Sequence, residues 1–221
     1  MNVLVACEES QRVCTAFREK GHNAFSCDIQ PCSGGHPEWH IRWDAISLLS
    51  GNCSFLTCDG EMHTINDKWD LIIAHPPCTY MSKAGARWMF PKAGQMDLNR
   101  YAMAMEAKAF FMKFYNADCE KICVENPIPT RIFGLPPYTQ TIQPFEHGHP
   151  FSKKTCLWIR GLAKLEPTNM VDPVCSWVSG GSKDQYGNKR KNCGMKFRDS
   201  KTKSKTFEGV AKAMADQWGV T

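Results

Sequence analysis

The sequence has no long apolar run. Its longest, such as Val3 to Cys7 and Leu71 to Ala74, fall far short of the roughly 18 residues that span a bilayer as a helix. It has no cationic start, since Met1-Asn2 leads straight into an apolar run and offers nothing for a secretory leader. The chain therefore reads as soluble and unexported, with no membrane partner. Among its 12 cysteines no Cys-x2-Cys pair occurs: Cys27/Cys32 and Cys53/Cys58 are separated by four residues and Cys119/Cys123 by three, so no structural zinc site is expected. A chain of 221 residues can bury a core of its own, so the cysteines are not needed as a disulfide scaffold and are read as reduced thiols. No internal repeat is present.

With 43% apolar and 22% charged residues, what is there is the composition of one globular domain. The charge is unevenly placed. From Lys183 to Lys205 nine Lys/Arg face two Asp, a net +7, so with a total of +5 the rest of the chain carries −2. A cationic segment on a near-neutral body suits a polyanion, and it equally suits a solvated lysine-rich face. Gly180-Gly181 and Gly187 punctuate the segment, which predicts a loop.

Elsewhere strands alternate with helices. Val3 to Cys7 reads as a strand, followed by a helix capped at Ser10, carrying Val13, Ala16 and Phe17, and stopped at Gly21. Ala24 to Ile29 is a second strand, His40 to Arg42 a weak third, and Ala45 to Leu49 a short helix. Gly51 to Lys68 is an irregular excursion or hairpin. Trp69 to Ala74 is a strand ended abruptly by Pro76-Pro77. Leu98 to Ala117 is the strongest helix, with Met103, Phe110, Phe111, Met112 and Phe114 as its core stripe. Lys121 to Val124 and Thr155 to Ile159 are further strands, and a last helix capped at Thr206 presents Val210, Ala211, Met214 and Trp218. This alternation argues an α/β fold with a mostly parallel, doubly wound sheet.

In such sheets ligands bind beyond the carboxyl ends of the strands. Those positions hold Cys7-Glu8-Glu9, Asp28, Asp44, Pro76-Pro77-Cys78 and Glu125-Asn126-Pro127. A cysteine on a rigid Pro-Pro turn and a carboxylic acid after the neighbouring strand suit covalent attack on an electron-poor ring with protonation of that ring. His75 is read as filling the turn rather than as half of a Cys/His pair.

The order Pro77-Cys78, Glu125-Asn126, a basic strand from Lys153 to Ile159 and a closing helix resembles the DNA cytosine C5-methyltransferases. It is most similar to short members carried by phages and mobile elements, with Asp70 to Cys78 and Ala213 to Trp218 the most specific stretches. The resemblance implies a Rossmann-like methyltransferase fold with helices on both faces, and a cytoplasmic place in a bacterial or phage-infected cell. By the same resemblance Cys78 adds to ring carbon 6 of a pyrimidine, Glu125 holds and protonates ring nitrogen 3, Asn126 fixes the turn or the base edge, and Lys153 or Lys154 offsets charge on the exocyclic oxygen. S-adenosylmethionine is the implied donor, with Asp28 at its ribose, Asp44 near its adenine, and Cys7, Glu8 and Pro76 lining the site.

Two departures stand beside this. Ala6-Cys7-Glu8-Glu9-Ser10 has no glycine where the family has a glycine-rich loop that approaches the cofactor closely. The 45 residues from Gly161 to Lys205 stand in place of a target-recognition domain. Within them Lys189, Arg190, Lys191, Arg198 and Lys201 are expected to contact nucleic acid, positioning it without reading its sequence. Duplex DNA, single-stranded DNA or a free pyrimidine nucleotide stay open as partners, as do another one-carbon donor and an idle DNA-binding scaffold.

Overall fold

At the centre of the sheet Val3 to Ala6 and Leu71 to Ala74 are apolar throughout because both of their faces are covered, as parallel sheets require. The computed structural model describes residues 1–92, 95–177, 186–188, 191–192 and 200–220. The chain runs β1 (Asn2–Ala6), α1 (Arg12–Glu19), β2 (Asn23–Cys27), β3 (His40–Ile41), β4 (Cys53–Leu56), β5 (Met62–Ile65), β6 (Leu71–Ala74), α2 (Lys83–Ala86), α3 (Leu98–Tyr115) and β7 (Lys121–Pro127). It continues through β8 (Gln140–Ile142), β9 (Phe151–Ser152), β10 (Thr155–Arg160), β11 (Cys175–Ser176), β12 (Lys191–Asn192), α4 (Ser200–Ser204) and α5 (Glu208–Trp218).

Seven strands form one sheet in the order β3-β2-β1-β6-β7-β10-β8. The first five run parallel, and β10 lies antiparallel between β7 and β8. Alternate residues point to opposite faces. Val3, Val5, Leu71, Ile73 and Leu157 pack with α1 and α5 on one face. Leu4, Ile72, Ile122, Val124 and Trp158 pack with α3 on the other. The fold is thus mixed α/β, with a mostly parallel sheet and helices on both faces, as expected. No helix among the described residues is long and apolar enough to cross a membrane.

Helix α3 starts at Asp97, whose carboxylate accepts from the Arg100 amide at 3.0 Å. Its stripe is only partly core: Phe111 and Phe114 are fully buried, whereas Met103 is 46% exposed. At its other end Arg160, on β10, donates to the carbonyls of Tyr115, Ala117 and Cys119. Those carbonyls lack helical partners, and the guanidinium supplies them while tying the helix to the sheet. Arg160→Ala is expected to cost about 1–2 kcal/mol of stability, read by urea unfolding.

The expected excursion at residues 51–68 is a two-stranded antiparallel hairpin of β4 and β5. The stretch from Gly161 to Lys205 contains two short strands, of which β12 falls in the expected basic loop: β11 pairs in parallel with β9 and with β12. Among the described residues ten cysteines carry free thiols, while Cys175 is disulfide-bonded, a departure from the expectation of reduced thiols throughout.

Candidate active site

β1 and β6 are neighbours, yet the chain leaves β1 toward β2 and leaves β6 toward β7 on the other side. The crossovers diverge here, and a crevice opens between the strand ends at such a switch point. The register Ala74↔Val124 sets the next residues, His75 and Glu125, side by side. Their side chains, 11% and 17% exposed, meet at 3.0 Å between Nδ1 and Oε2. One residue further, Asn126 donates through Nδ2 to the Pro76 carbonyl at 2.8 Å. The Cys78 turn is therefore tied to the acid-bearing strand, and its thiol stands half-buried two residues beyond that tie. Asn126 Oδ1 is buried without a hydrogen-bond partner, and so is His75 Nε2.

Charge at this edge is tightly coupled. Burial pushes the Cys78 thiol up, Glu125 pushes it further, and Lys153 opposes both. Burial alone would raise Glu125, but the hydrogen bond and charge of His75, then Lys153 and the Thr155 hydroxyl, bring it below the ordinary carboxylate range. Burial alone would lower His75, but the hydrogen bond and charge of Glu125, with Glu8 behind it, raise it against Lys153.

These directions predict how stability changes with pH. Glu125 is depressed, so its contribution is present above 4.5 and lost as pH falls through its folded value. His75 is raised, so its contribution is complete below 6.5 and lost as pH rises through its folded value. Unfolding by urea should show the pair's contribution greatest between pH 4.5 and 6.5, with this plateau absent in Glu125→Gln.

The two candidate lysines separate. The charge of Lys153 acts on Glu125 and Cys78, and burial lowers its own pKa. Its Nζ lies 5.9 Å from the centre of the Phe207 ring and 3.4 Å from the Ser204 carbonyl. Lys154 is exposed and acts on Glu146 instead, so it is not part of the site. Both lie in the two-residue link between β9 and β10, where Lys153 is half-buried and Lys154 is not. A small cavity beside Glu125 and Lys153 is closed by Ile142, Pro144, Phe207 and Met214.

The loop after β1 corrects several expectations. Ser10 does not cap α1. The Glu8 carboxylate does, accepting from the Val13 and Cys14 amides at 2.7 and 3.1 Å. Glu8 is 4% exposed and held by the helix, so it is no free ligand for a cofactor. Pro76 is likewise buried, with its carbonyl engaged by Asn126. Thr206 does not cap α5 either; His149 Nε2 accepts from the Gly209 amide at 2.9 Å. Without a glycine the loop still takes left-handed conformations, at Cys7 and Gln11, both with φ of 58°. Such residues cost about 1–2 kcal/mol each and persist only where their surroundings hold them. Gln11 is held by its amide, which donates to the His36 carbonyl at 2.7 Å and accepts from the His36 amide at 3.0 Å.

Cys7, Asp28 and Asp44 do come together: burial and both carboxylates push the Cys7 thiol well up. Asp28 is raised by burial and accepts from the Gln30 amide at 2.9 Å. Asp44 caps the short helix Ala45–Leu48 through the Ile46 amide at 3.0 Å. Beside these acids Ile29 is 74% and Trp43 64% exposed, large apolar groups that the sequence reading missed. Neither lies in a periodic pattern; adjacency to a strand-end acid is the one signal that could have found them. The loop from Pro31 to His36 folds back on Gln11, and a Cβ at Gly34 would lie 2.5 Å from Gln11 Cβ and 2.7 Å from the Ser10 carbonyl. Gly34→Ala is expected to cost about 1–3 kcal/mol by thermal unfolding, because backbone must move to admit it.

Of the expected nucleic-acid contacts, Lys189, Arg190 and Arg198 lie outside the described residues. The Lys191 backbone pairs in β12. Lys201 is paired with Glu9 at 3.3 Å, and Lys205 donates to Ser33 Oγ at 2.9 Å. Both fasten the chain before α5 to the loops after β1 and β2, so Lys201 is not free for phosphate alone. No family model matches the chain, and no curated protein matches it.

Proposed function

We propose that the protein methylates carbon 5 of cytosine in DNA with S-adenosylmethionine as donor, through a transient thioether at Cys78. The observation that carries this reading is that Cys78 after β6, Glu125 on β7 and Lys153 before β10 stand at one edge of neighbouring strands, close enough for their charges to act on one another, a nucleophile, an acid and a cation. The sheet, with five parallel strands followed by an antiparallel pair, is compatible with the Rossmann-like methyltransferase fold that the sequence resembles.

The second ligand fits the other half of the edge. Asp28 and Asp44, flanked by exposed Ile29 and Trp43, offer acceptors for sugar hydroxyls or a cationic group and apolar faces for a purine. Bound there, S-adenosylmethionine supplies an electrophilic methyl group. The chain's own residues do the rest. The Cys78 thiolate adds to ring carbon 6, Glu125 donates a proton to nitrogen 3, and Lys153 offsets negative charge on the ring. Engagement of Glu125 by the ring also removes the negative charge that disfavours the Cys78 thiolate, so substrate binding and thiol activation are coupled. A base stacked in a duplex must be flipped out to reach Cys78.

Mass spectrometry of the protein incubated with S-adenosylmethionine and DNA carrying 5-fluorocytosine tests this directly. A trapped adduct at Cys78 that retains a methyl group supports nucleophile, donor and base together; absence of adduct and of any donor-dependent thermal shift overturns it. A second reading, action on a free pyrimidine nucleotide, is favoured by the shortness of the stretch from Gly161 to Lys205, 45 residues in place of a target-recognition domain. Methyl transfer to dCMP but not to DNA separates the two.

A further inference from the structure

Of the groups at the strand ends, His75 is the one that the chemistry above leaves unused. We propose that His75 is a positioning residue that stores the proton Glu125 delivers to the pyrimidine ring, so that the acid works at a pH where a carboxylate alone is empty. This rests on the reading of Glu125 as the ring acid. The geometry is fixed on every side. The His75 amide donates to the Ala6 carbonyl at 2.9 Å, which anchors its backbone to β1. The register with β7 then leaves Nδ1 3.0 Å from Glu125 Oε2, and the bond from Asn126 to the Pro76 carbonyl keeps the two strand ends from sliding apart.

The charged groups around the pair all bear on where the proton sits. His75 faces Glu125 on β7, Glu8 after β1 and Lys153 before β10. Glu125 faces His75, Lys153 and the Thr155 hydroxyl, and its charge reaches the thiols of Cys78, Cys123 and Cys156. Two carboxylates flank the imidazole, and two cations flank Glu125. The resting pair is therefore an imidazolium beside a carboxylate, with the mobile proton on Nδ1.

That arrangement completes the proton accounting of ring addition. As the Cys78 sulfur forms its bond to carbon 6, the carbon 5–carbon 6 π pair shifts between carbons 5 and 4. The carbon 4–nitrogen 3 π pair moves onto nitrogen 3, which takes a proton from Glu125. That proton reaches Glu125 from His75 Nδ1 as it is passed on, so Glu125 ends as the carboxylate it was at rest and His75 as a neutral imidazole. After the carbon 5–carbon 4 π pair has taken the methyl group and the nitrogen 3 pair has restored the carbon 4–nitrogen 3 bond, water takes the carbon 5 proton, the carbon 5–carbon 6 π bond re-forms as the sulfur leaves as thiolate, and the nitrogen 3 proton returns by the same route. Lys153 keeps its proton throughout and acts by charge alone.

The imidazole nitrogens of His75, assigned by comparison with His75→Gln, are followed by NMR from acid to alkaline pH in the full chain and in Glu125→Gln. We expect His75 to remain doubly protonated above 6.5, the ordinary histidine value, and to lose that proton at lower pH in Glu125→Gln. Titration at or below 6.5 in the unmodified chain, or no change in Glu125→Gln, overturns the proposal. In single turnovers on fluorocytosine DNA, the rate of adduct formation should be level with pH until His75 deprotonates. In His75→Gln, which keeps a donor to Glu125 but stores no proton, it should fall about tenfold per pH unit from the carboxylate range upward. Identical pH profiles overturn the proposal. If the unmodified chain forms no adduct at any pH, the cytosine reading fails and the titration alone decides for His75.

Discussion

Cys78→Ala is expected to lower methyl transfer by about 10³-fold or more while leaving the fold intact, because removal of an attacking nucleophile leaves only binding and charge stabilisation to act on the ring. The thiol is half-buried and packs no core layer, so thermal unfolding should move little. Transfer of a labelled methyl group is the measurement, with circular dichroism to check the fold. Neighbouring thiols do not substitute for it: Cys123 and Cys156 are buried in β7 and β10, and burial holds both well above the ordinary thiol range. Transfer by Cys78→Ala at near the original rate would falsify the covalent route.

Glu125→Gln is expected to act in opposite directions on two readouts. Methyl transfer should fall by about 10²–10⁴-fold, the range for loss of a general acid. Alkylation of Cys78 by iodoacetamide near neutral pH should become faster, because the carboxylate that opposes the thiolate is gone while Lys153 remains. Each unit by which the thiol falls raises its thiolate fraction about tenfold. Lys153→Met should slow the same alkylation. A Glu125→Gln protein that is inactive and alkylates more slowly points to collapse of the turn rather than loss of an acid. Peptide mapping assigns the label to Cys78.

Much of this site was legible before any coordinates, and the parts that were not share a cause. The strand runs Val3 to Cys7 and Trp69 to Ala74, the long helix and the Pro-Pro-Cys turn declare themselves through local composition, because both faces of the sheet demand apolar residues and proline cannot extend a ladder. What was hidden depends on register and on contacts between distant segments. His75 looks like turn filler until Ala74 is aligned with Val124, which puts Glu125 beside it. Glu8 is not a favoured capping residue, yet its longer side chain reaches the first amides of α1 from three residues before the cap residue Gln11. His149 serves α5 from 60 residues away. The choice between Lys153 and Lys154 depends on the conformation of the two-residue link between β9 and β10, which no local pattern in the sequence sets.

The placement of the reactive groups has a consequence for how such a protein changes over generations. Cys78 and Glu125 belong to one unit, β6–α3–β7, while Asp28, Asp44, Ile29 and Trp43 belong to the other wing of the sheet, β1 to β3. Within the sheet the two wings are joined by a single pair of strands, β1 and β6. On the reading proposed above, substitutions on the β2 and β3 loops would alter the donor site without moving Cys78 relative to Glu125. The spacing between Cys78 and Glu125 is set within β6 to β7, so a change of donor on that reading would leave it in place.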